Sequence, residues 1–233
     1  MLHIQPNLRK IMTLIKLDAI EINPKQSANA SIIWLHGLGA SAEDFLPIVP
    51  QLNLPDDHAM RFVFPNAPIQ PVTLNGGFPM PAWYDIYGLA GDVRQDEAGI
   101  RRTENLVQAL IEKEQQRGIK PERIILAGFS QGGAMALHTG LRYPKKLAGI
   151  IALSTYLPLA DMVANELHPA NKDLPILMVH GTDDPVVLPE WAELSRNTLQ
   201  RLDYKIQWQT YEMAHSFCQE ELILIVNWLQ KVL

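Results

Sequence analysis

Cysteine is nearly absent from this sequence, with Cys218 alone among 233 residues. A single thiol cannot form an internal disulfide or a cysteine-based zinc site, which agrees with a reducing compartment. Long apolar runs are also absent: the densest, residues 222–226, falls far short of the roughly 18 apolar residues of a membrane span. Lys and Arg form no cluster and the net charge is −5, which argues against a nucleic-acid surface. We therefore expect neither a nucleic-acid partner nor stable membrane insertion.

The N-terminus has few features of a leader peptide. Lys16, Asp18 and Glu21 interrupt what would have to be its apolar region, so we expect no export and a cytoplasmic location. Residues 1–11 are predicted to be a disordered or peripheral extension, because Met12 opens a sensible first strand. The composition, 47% hydrophobic and 19% charged, predicts that residues 1–233 form one globular domain.

Short apolar segments alternate with amphipathic ones along the chain. Continuous apolar runs bounded by turn residues predict strands covered on both faces at residues 31–35, 61–64, 123–127 and 175–179. Further strands are predicted at residues 147–153 and 204–210, with an antiparallel, bulged edge strand at 15–22. Helical spacing of apolar residues follows at 100–111, 191–202 and 222–232. This order predicts an α/β fold with a mostly parallel central sheet and helices on both faces.

Residues 65–91 have neither the helical nor the strand period and are rich in Pro, Gly and aromatic residues. Irregular segments of this length usually serve a function in compact domains. No other segment has the length and period of a separate cap domain. We therefore expect these residues to lie near the functional site and to form an open, apolar groove.

The segment Gly128-Phe-Ser-Gln-Gly132 has the pattern G-x-S-x-G. It follows a predicted strand and precedes a predicted helix, and a sharp turn in that context lifts the serine hydroxyl out of the sheet. Glycines two residues to either side relieve the crowding of such a turn. Ser130 is therefore predicted to be a nucleophile.

A serine nucleophile needs a base and an acid that orients the base. With this type of turn the order along the chain is Ser, then acid, then His. Of seven histidines, His215 alone follows a segment that can supply the acid. Asp183 and Asp184 both follow the strand at residues 175–179, and Pro185 favours Asp184 only weakly. The residues themselves leave both aspartates open.

The segment His36-Gly-Leu-Gly39 follows the strand at residues 31–35. In hydrolases with a nucleophile turn, backbone N–H groups from such a loop and from the residue after the serine, here Gln131, stabilise the oxyanion. Residues 37–42 also match the dinucleotide pattern G-x-G-x-x-A. That alternative is disfavoured, because the next strand ends in Pro65 rather than in an acidic residue.

Taken together, these motifs resemble the phospholipase/carboxylesterase family of α/β-hydrolases, which includes acyl-protein thioesterases. The similarity covers residues 31–233 and departs from the family pattern at Ala40 and Ala42. The matching segments are residues 36–39, 71–77, 82–86, 128–137, 180–184 and 215–216.

The resemblance implies specific roles for individual residues. Ser130, Asp184 and His215 would form the catalytic triad, and the backbone N–H groups of Leu38 and Gln131 would bind the oxyanion. The substrate-binding residues that it implies are Leu74, Met80 and Trp83.

The predicted function is hydrolysis of short- to medium-chain carboxylic esters through an acyl-enzyme, with no metal or organic cofactor. Thioesters of acylated proteins and lysophospholipids are further predicted substrates. One alternative is a ligand-binding protein without activity, which would usually have lost a triad residue. Another is a peptidase, which would need an added domain for which the length leaves no room. The sequence leaves open whether the protein is a monomer or a homodimer.

Overall fold

Seven strands form one sheet in the computed structural model, which describes residues 17–54, 59–88 and 94–233. Their spatial order is β1-β3-β2-β6-β7-β8-β9, and β4 pairs with β5 in a separate hairpin. In chain order the strands are β1 (Ala19–Ile22), β2 (Ala30–Leu35), β3 (Met60–Pro65), β4 (Ile69–Val72), β5 (Phe78–Pro81), β6 (Ile124–Phe129), β7 (Gly149–Leu153), β8 (Ile176–Gly181) and β9 (Ile206–Tyr211).

All neighbouring strands of the large sheet are parallel except β1, which runs antiparallel to β3 at the edge. This confirms the predicted parallel sheet and its antiparallel edge strand. The predicted bulge is wrong, because the pairing runs without interruption from Ala19 opposite Pro65 to Ile22 opposite Phe62. Ile15 and Lys16 of that prediction, and the proposed extension at residues 1–11, lie outside the described residues.

Helices cover the sheet on both faces. They are α1 (Ile48–Leu52), α2 (Glu97–Gln116), α3 (Gln131–Arg142), α4 (Ala160–Glu166), α5 (Pro189–Arg201) and α6 (Gln219–Val232). Side chains alternate between the two faces along a strand, so Ile33 and Leu35 of β2 pack in the core beneath α2 and α3. Ile32 and Trp34 pack on the other face, in the core that α1 and α6 share. Among the described residues, no helix combines the length and apolar character needed to span a bilayer.

The hairpin of β4 and β5 and the short helix α4 are elements that the sequence patterns did not predict. Proline cannot donate to a strand ladder, and Pro71 lies opposite Pro79 in this hairpin. The hairpin carries exposed apolar side chains, with Ile69 at its open end 73% exposed and Phe78 beside its turn 68% exposed. The pattern therefore resembled an irregular loop although its backbone pairs regularly.

The first turn of α6 contains a buried carboxyl group, that of Glu221. Neither of its oxygens has a hydrogen-bond partner in the described part of the chain. Burial raises the pKa of Glu221 to about 8; the nearby Cys218 backbone N–H, which is not in hydrogen-bond geometry with either oxygen, lowers it to a smaller extent. The folded protein therefore favours the protonated, neutral form of this side chain.

The wild-type protein should lose free energy of unfolding as the pH becomes alkaline. We predict that the Glu221→Gln variant does not show this loss. The folded pKa of Glu221 lies near 8 against an ordinary value of 4.5, so the folded state holds a proton that the unfolded state releases between these values. Wild-type stability should therefore fall as pH rises through this window and level off above it.

Urea unfolding between pH 5 and 9 measures this effect. The Glu221→Gln variant should become more stable than wild type by at least ~1 kcal/mol at the alkaline end. The matched control is Glu220→Gln, because Glu220 is the exposed neighbour in the same turn. Parallel pH curves for wild type and both variants would contradict the prediction.

Candidate active site

Ser130 lies at a sharp turn between β6 and α3. Its φ of 54° and ψ of −122° are unusual for a residue with a side chain. The turn is held by the Ser130 N–H, which donates to the Leu153 carbonyl at 2.9 Å, and by the Thr155 hydroxyl, which donates to the Ser130 carbonyl at 2.7 Å. These contacts attach the turn to the end of β7 and leave the Ser130 side chain partly exposed.

Two glycines allow the turn to approach the sheet closely. A Cβ at Gly132 would lie 2.1 Å from the Leu35 carbonyl oxygen, and a Cβ at Gly128 would lie 2.3 Å from backbone atoms of Gly132. A larger residue at Gly132 would push α3 away from β2, and a larger residue at Gly128 would push α3 away from β6. The G-x-S-x-G pattern is therefore required by backbone contacts.

His215 and Asp184 form a hydrogen-bonded pair beside this turn. The His215 Nδ1–H donates to Asp184 Oδ2 at 2.7 Å. The other oxygen, Oδ1, accepts the backbone N–H groups of Val186 and Val187, each at 2.9 Å. The ring of Phe129 packs on the His215 ring with 4.6 Å between centroids, which places the imidazole next to the residue that precedes Ser130. No hydrogen bond joins Ser130 and His215 within the described ranges.

The geometry distinguishes the two aspartates that the residues alone left open. Asp184 is buried and contacts His215, whereas Asp183 is exposed and its carboxylate accepts from the Thr182 hydroxyl at 3.4 Å. His180, which the order of residues had set aside, supports the same loop. Its Nε2–H donates to the Val187 carbonyl at 2.8 Å, and burial lowers its pKa, so a neutral imidazole holds the Asp184 loop in place.

The backbone N–H groups of Leu38 and Gln131 are the two predicted oxyanion donors. Gln131 is the first residue of α3, so its N–H has no acceptor within the helix. Neither N–H group donates a hydrogen bond to any residue that the structure describes. The loop before Leu38 lies against the turn, since a Cβ at Gly37 would be 3.4 Å from Ser130 Cβ. Two free donors therefore lie close to the Ser130 side chain.

A buried histidine fixes the loop that carries Leu38. His36 donates from Nδ1 to the Gly37 carbonyl at 2.7 Å and accepts the Ala67 N–H at Nε2 at 3.0 Å. Burial lowers the pKa of His36, so the neutral ring that these bonds require is also the favoured form. Sequence patterns identified the loop but gave no reason for its histidine.

Trp83 is hydrogen-bonded to the two segments that carry the predicted oxyanion donors, the loop after β2 and the start of α3. Its indole N–H donates to the His36 carbonyl at 2.8 Å, and its backbone N–H donates to Gln131 Oε1 at 2.8 Å. The Gln131 side chain in turn donates to the Tyr84 carbonyl at 2.8 Å. Trp83 is 1% exposed and is hydrogen-bonded to both segments, and it is not among the residues that line the cavity beside Ser130.

A cavity of about 620 Å³ opens at Ser130 and Gln131, a size typical of small-ligand sites. Leu74 lines it as the resemblance implies, but Met80 does not. Met80 instead accepts a hydrogen bond from Asn75 at 3.3 Å, within the hairpin region. The wall is mostly apolar and includes Ile86, Leu157, Met162, Val187 and Trp191.

No group of three or more His, Cys, Asp or Glu side chains in the described ranges is arranged to hold a metal ion. The groups that the structure brings together at the site are side chains and backbone groups of the chain itself. These comprise a serine hydroxyl on a strained turn, an imidazole oriented by a buried carboxylate, and two free N–H donors.

Comparison with known protein families identifies the family to which the chain belongs. A model of the phospholipase/carboxylesterase family matches residues 18–233. The chain belongs to this family. It is also 38% identical over 218 residues to acyl-protein thioesterase 1 of Yarrowia lipolytica, covering 91% of this chain and 96% of the relative.

Solved structures show the same fold. SOBER1 of Arabidopsis thaliana superposes with a TM-score of 0.84 at 33% identity, covering 88% of this chain and 99% of that one. Acyl-protein thioesterase 2 of Zea mays gives 0.83 at 29% identity, covering 92% and 98%. Membership of the family confirms the predicted α/β-hydrolase fold and the predicted class, a hydrolase of ester bonds.

We predict that Asp184→Asn lowers kcat for p-nitrophenyl butyrate on the order of 10³- to 10⁴-fold, because an amide cannot orient and stabilise the imidazole as the carboxylate does. Asp183→Asn is the matched control and should change kcat little, since the exposed Asp183 carboxylate accepts from the Thr182 hydroxyl and His215 is paired with Asp184. The measurement is steady-state kinetics with Tm recorded for both variants. The reverse ranking would contradict the assignment of the acid.

Proposed function

We propose that this protein hydrolyses carboxylic esters and thioesters through an acyl-enzyme on Ser130. The observation that carries the proposal is the 2.7 Å hydrogen bond from His215 to the buried Asp184, beside a serine on a strained turn. A buried carboxylate that orients an imidazole is the arrangement by which enzymes activate a serine. That arrangement argues against a scaffold that only binds a ligand.

The proposed reaction has two halves. The Ser130 hydroxyl attacks the acyl carbonyl carbon while His215 Nε2 takes its proton, and the Leu38 and Gln131 N–H groups stabilise the oxyanion. When the tetrahedral intermediate collapses, the alcohol or thiol leaves with the proton from His215. Water then attacks the acyl-Ser130 ester by the same route, which releases the carboxylic acid and restores the serine.

The proposed acyl group is short to medium in length and lies in the apolar cavity beside Ser130. Relatives that are named acyl-protein thioesterases support a thioester on an acylated protein as one substrate, and the family's phospholipase name supports lysophospholipids as another.

We further propose that the chain acts in the cytoplasm as one catalytic domain.

The Ser130→Ala variant tests the central step. It should abolish hydrolysis of p-nitrophenyl butyrate and of butyryl thiocholine, because the variant lacks the hydroxyl that is proposed to form the acyl-enzyme. Its Tm should stay close to that of wild type, since alanine keeps the same backbone. Ser27→Ala, at an exposed position before β2, serves as the control. Undiminished hydrolysis by Ser130→Ala would overturn the proposal.

A series of p-nitrophenyl esters tests the acyl preference. With acyl chains of about two to sixteen carbons, kcat/KM should rise over the first carbons, since each buried methylene contributes about 0.8 kcal/mol, and then level off or fall. The assays are run below and above micelle formation. Greatest efficiency with the longest chain, or activity only with micelles, would indicate an interfacial lipase instead.

A further inference from the structure

Part of the cavity wall is formed by α4, a short helix with little buried surface. Leu159, Ala160, Asp161 and Met162 line the cavity at the start of α4. Of the seven residues of α4, only Val163 is buried. Apolar burial normally fixes a helix in place, and here only Val163 is fully buried, with Leu159, Ala160 and Leu167 partly buried against the same core. Polar contacts at the ends of α4 therefore add to a limited apolar contact.

Hydrogen bonds hold α4 at both ends. At its start, the Leu159 N–H donates to the Gln95 side chain at 2.9 Å. At its end, Glu166 joins two other helices: Oε1 accepts from Arg101 Nη2 of α2 at 2.6 Å, and Oε2 accepts from Arg142 Nε of α3 at 2.7 Å. Glu166 thus joins the end of α4 to α2 and α3, and two residues later the His168 N–H donates to the Leu141 carbonyl of α3 at 3.0 Å.

The environment makes this bridge stronger than an ordinary surface ion pair. The Arg142 side chain is only 5% exposed, and its Nη1 also donates to the His138 carbonyl at 3.0 Å. Partial burial raises the pKa of Glu166, but hydrogen bonds from Arg101 and Arg142 outweigh this and hold it below its ordinary value. Charge-assisted hydrogen bonds to a guanidinium that is already fixed lose little entropy on formation.

The bridge also touches the cavity wall directly. Arg101 Nη2, which binds Glu166, lies 3.5 Å from the Met162 sulfur. The Met162 side chain faces the cavity. A shift of the Arg101 guanidinium would therefore move both the end of α4 and a side chain that bounds the space for a ligand.

We propose that Glu166 is a specificity-determining positioning residue: by bridging Arg101 and Arg142 it holds α4 against the cavity and so sets how well a medium-length acyl chain is bound. The inference rests on the proposed function, since it assigns the cavity to the acyl group. Ser130 and the first residues of α4 line the same cavity, so we expect an octanoyl group on Ser130 to extend to the α4 wall and an acetyl group to stay beside Ser130. Loss of the bridge should therefore affect the longer chain alone.

The test compares Glu166→Gln with wild type on p-nitrophenyl acetate and p-nitrophenyl octanoate. KM for the octanoate should rise about 4- to 15-fold, equivalent to losing the burial of one or two methylenes, with kcat nearly unchanged. Both constants for the acetate should stay at wild-type values. The control is Glu97→Gln, which removes the other carboxylate on Arg101 but leaves α4 attached, and it should match wild type on both esters.

A second variant and a binding assay separate the possible failures. Arg101→Gln removes one of the two arms of the bridge and should raise KM for the octanoate in the same direction, to a smaller extent. Calorimetric titration with octanoate, in the Ser130→Ala background, should show the same loss of affinity for Glu166→Gln without any turnover. If Glu166→Gln weakens octanoate binding but the wild-type protein hydrolyses neither ester, the proposed function is overturned and the role of Glu166 in holding the cavity wall stands. Equal octanoate KM and affinity with a lowered Tm would show a structural role only and overturn the inference.

Discussion

The close approach of the β6–α3 turn to the end of β2 is the contact on which the site depends. Gly132 lies so near the Leu35 carbonyl that a Cβ there would fall 2.1 Å from the oxygen. This approach brings the first N–H of α3 alongside the loop that follows β2, so the two proposed oxyanion donors face one space. It also fixes Ser130 in a backbone conformation that few residues adopt, and that cost is offset by the packing of the sheet around the turn.

Near this contact, the polar groups of the site donate hydrogen bonds to both oxygens of the buried Asp184 carboxylate. One carboxylate oxygen receives two backbone N–H groups and the other receives His215. A buried carboxylate without such partners is costly, as Glu221 illustrates with its raised pKa. His36 and His180 are buried, have lowered pKa values and hydrogen-bond the loops that carry Leu38 and Asp184, whereas the His215 side chain is 17% exposed.

Sequence patterns predicted those parts of the fold that depend on local periodicity. The parallel strands and the long helices α2, α5 and α6 follow from apolar spacing, and the nucleophile turn follows from its glycines. The hairpin of β4 and β5 was missed because its prolines conceal the strand pattern, and α4 was missed because it buries only Val163. The position of Trp83 depends on hydrogen bonds to His36 and Gln131, which lie 47 and 48 residues away, and no local pattern contains that information.

The most direct test of the account is to identify the residue that carries the covalent intermediate. The protein is treated with an alkyl fluorophosphonate, a reagent that reacts with activated serines, and the adduct is located by peptide mass spectrometry. The protein should carry one adduct per chain, on Ser130, and ester hydrolysis should fall in proportion to the fraction of protein labelled. An adduct on a different residue, or full ester hydrolysis after complete labelling of Ser130, would contradict the account.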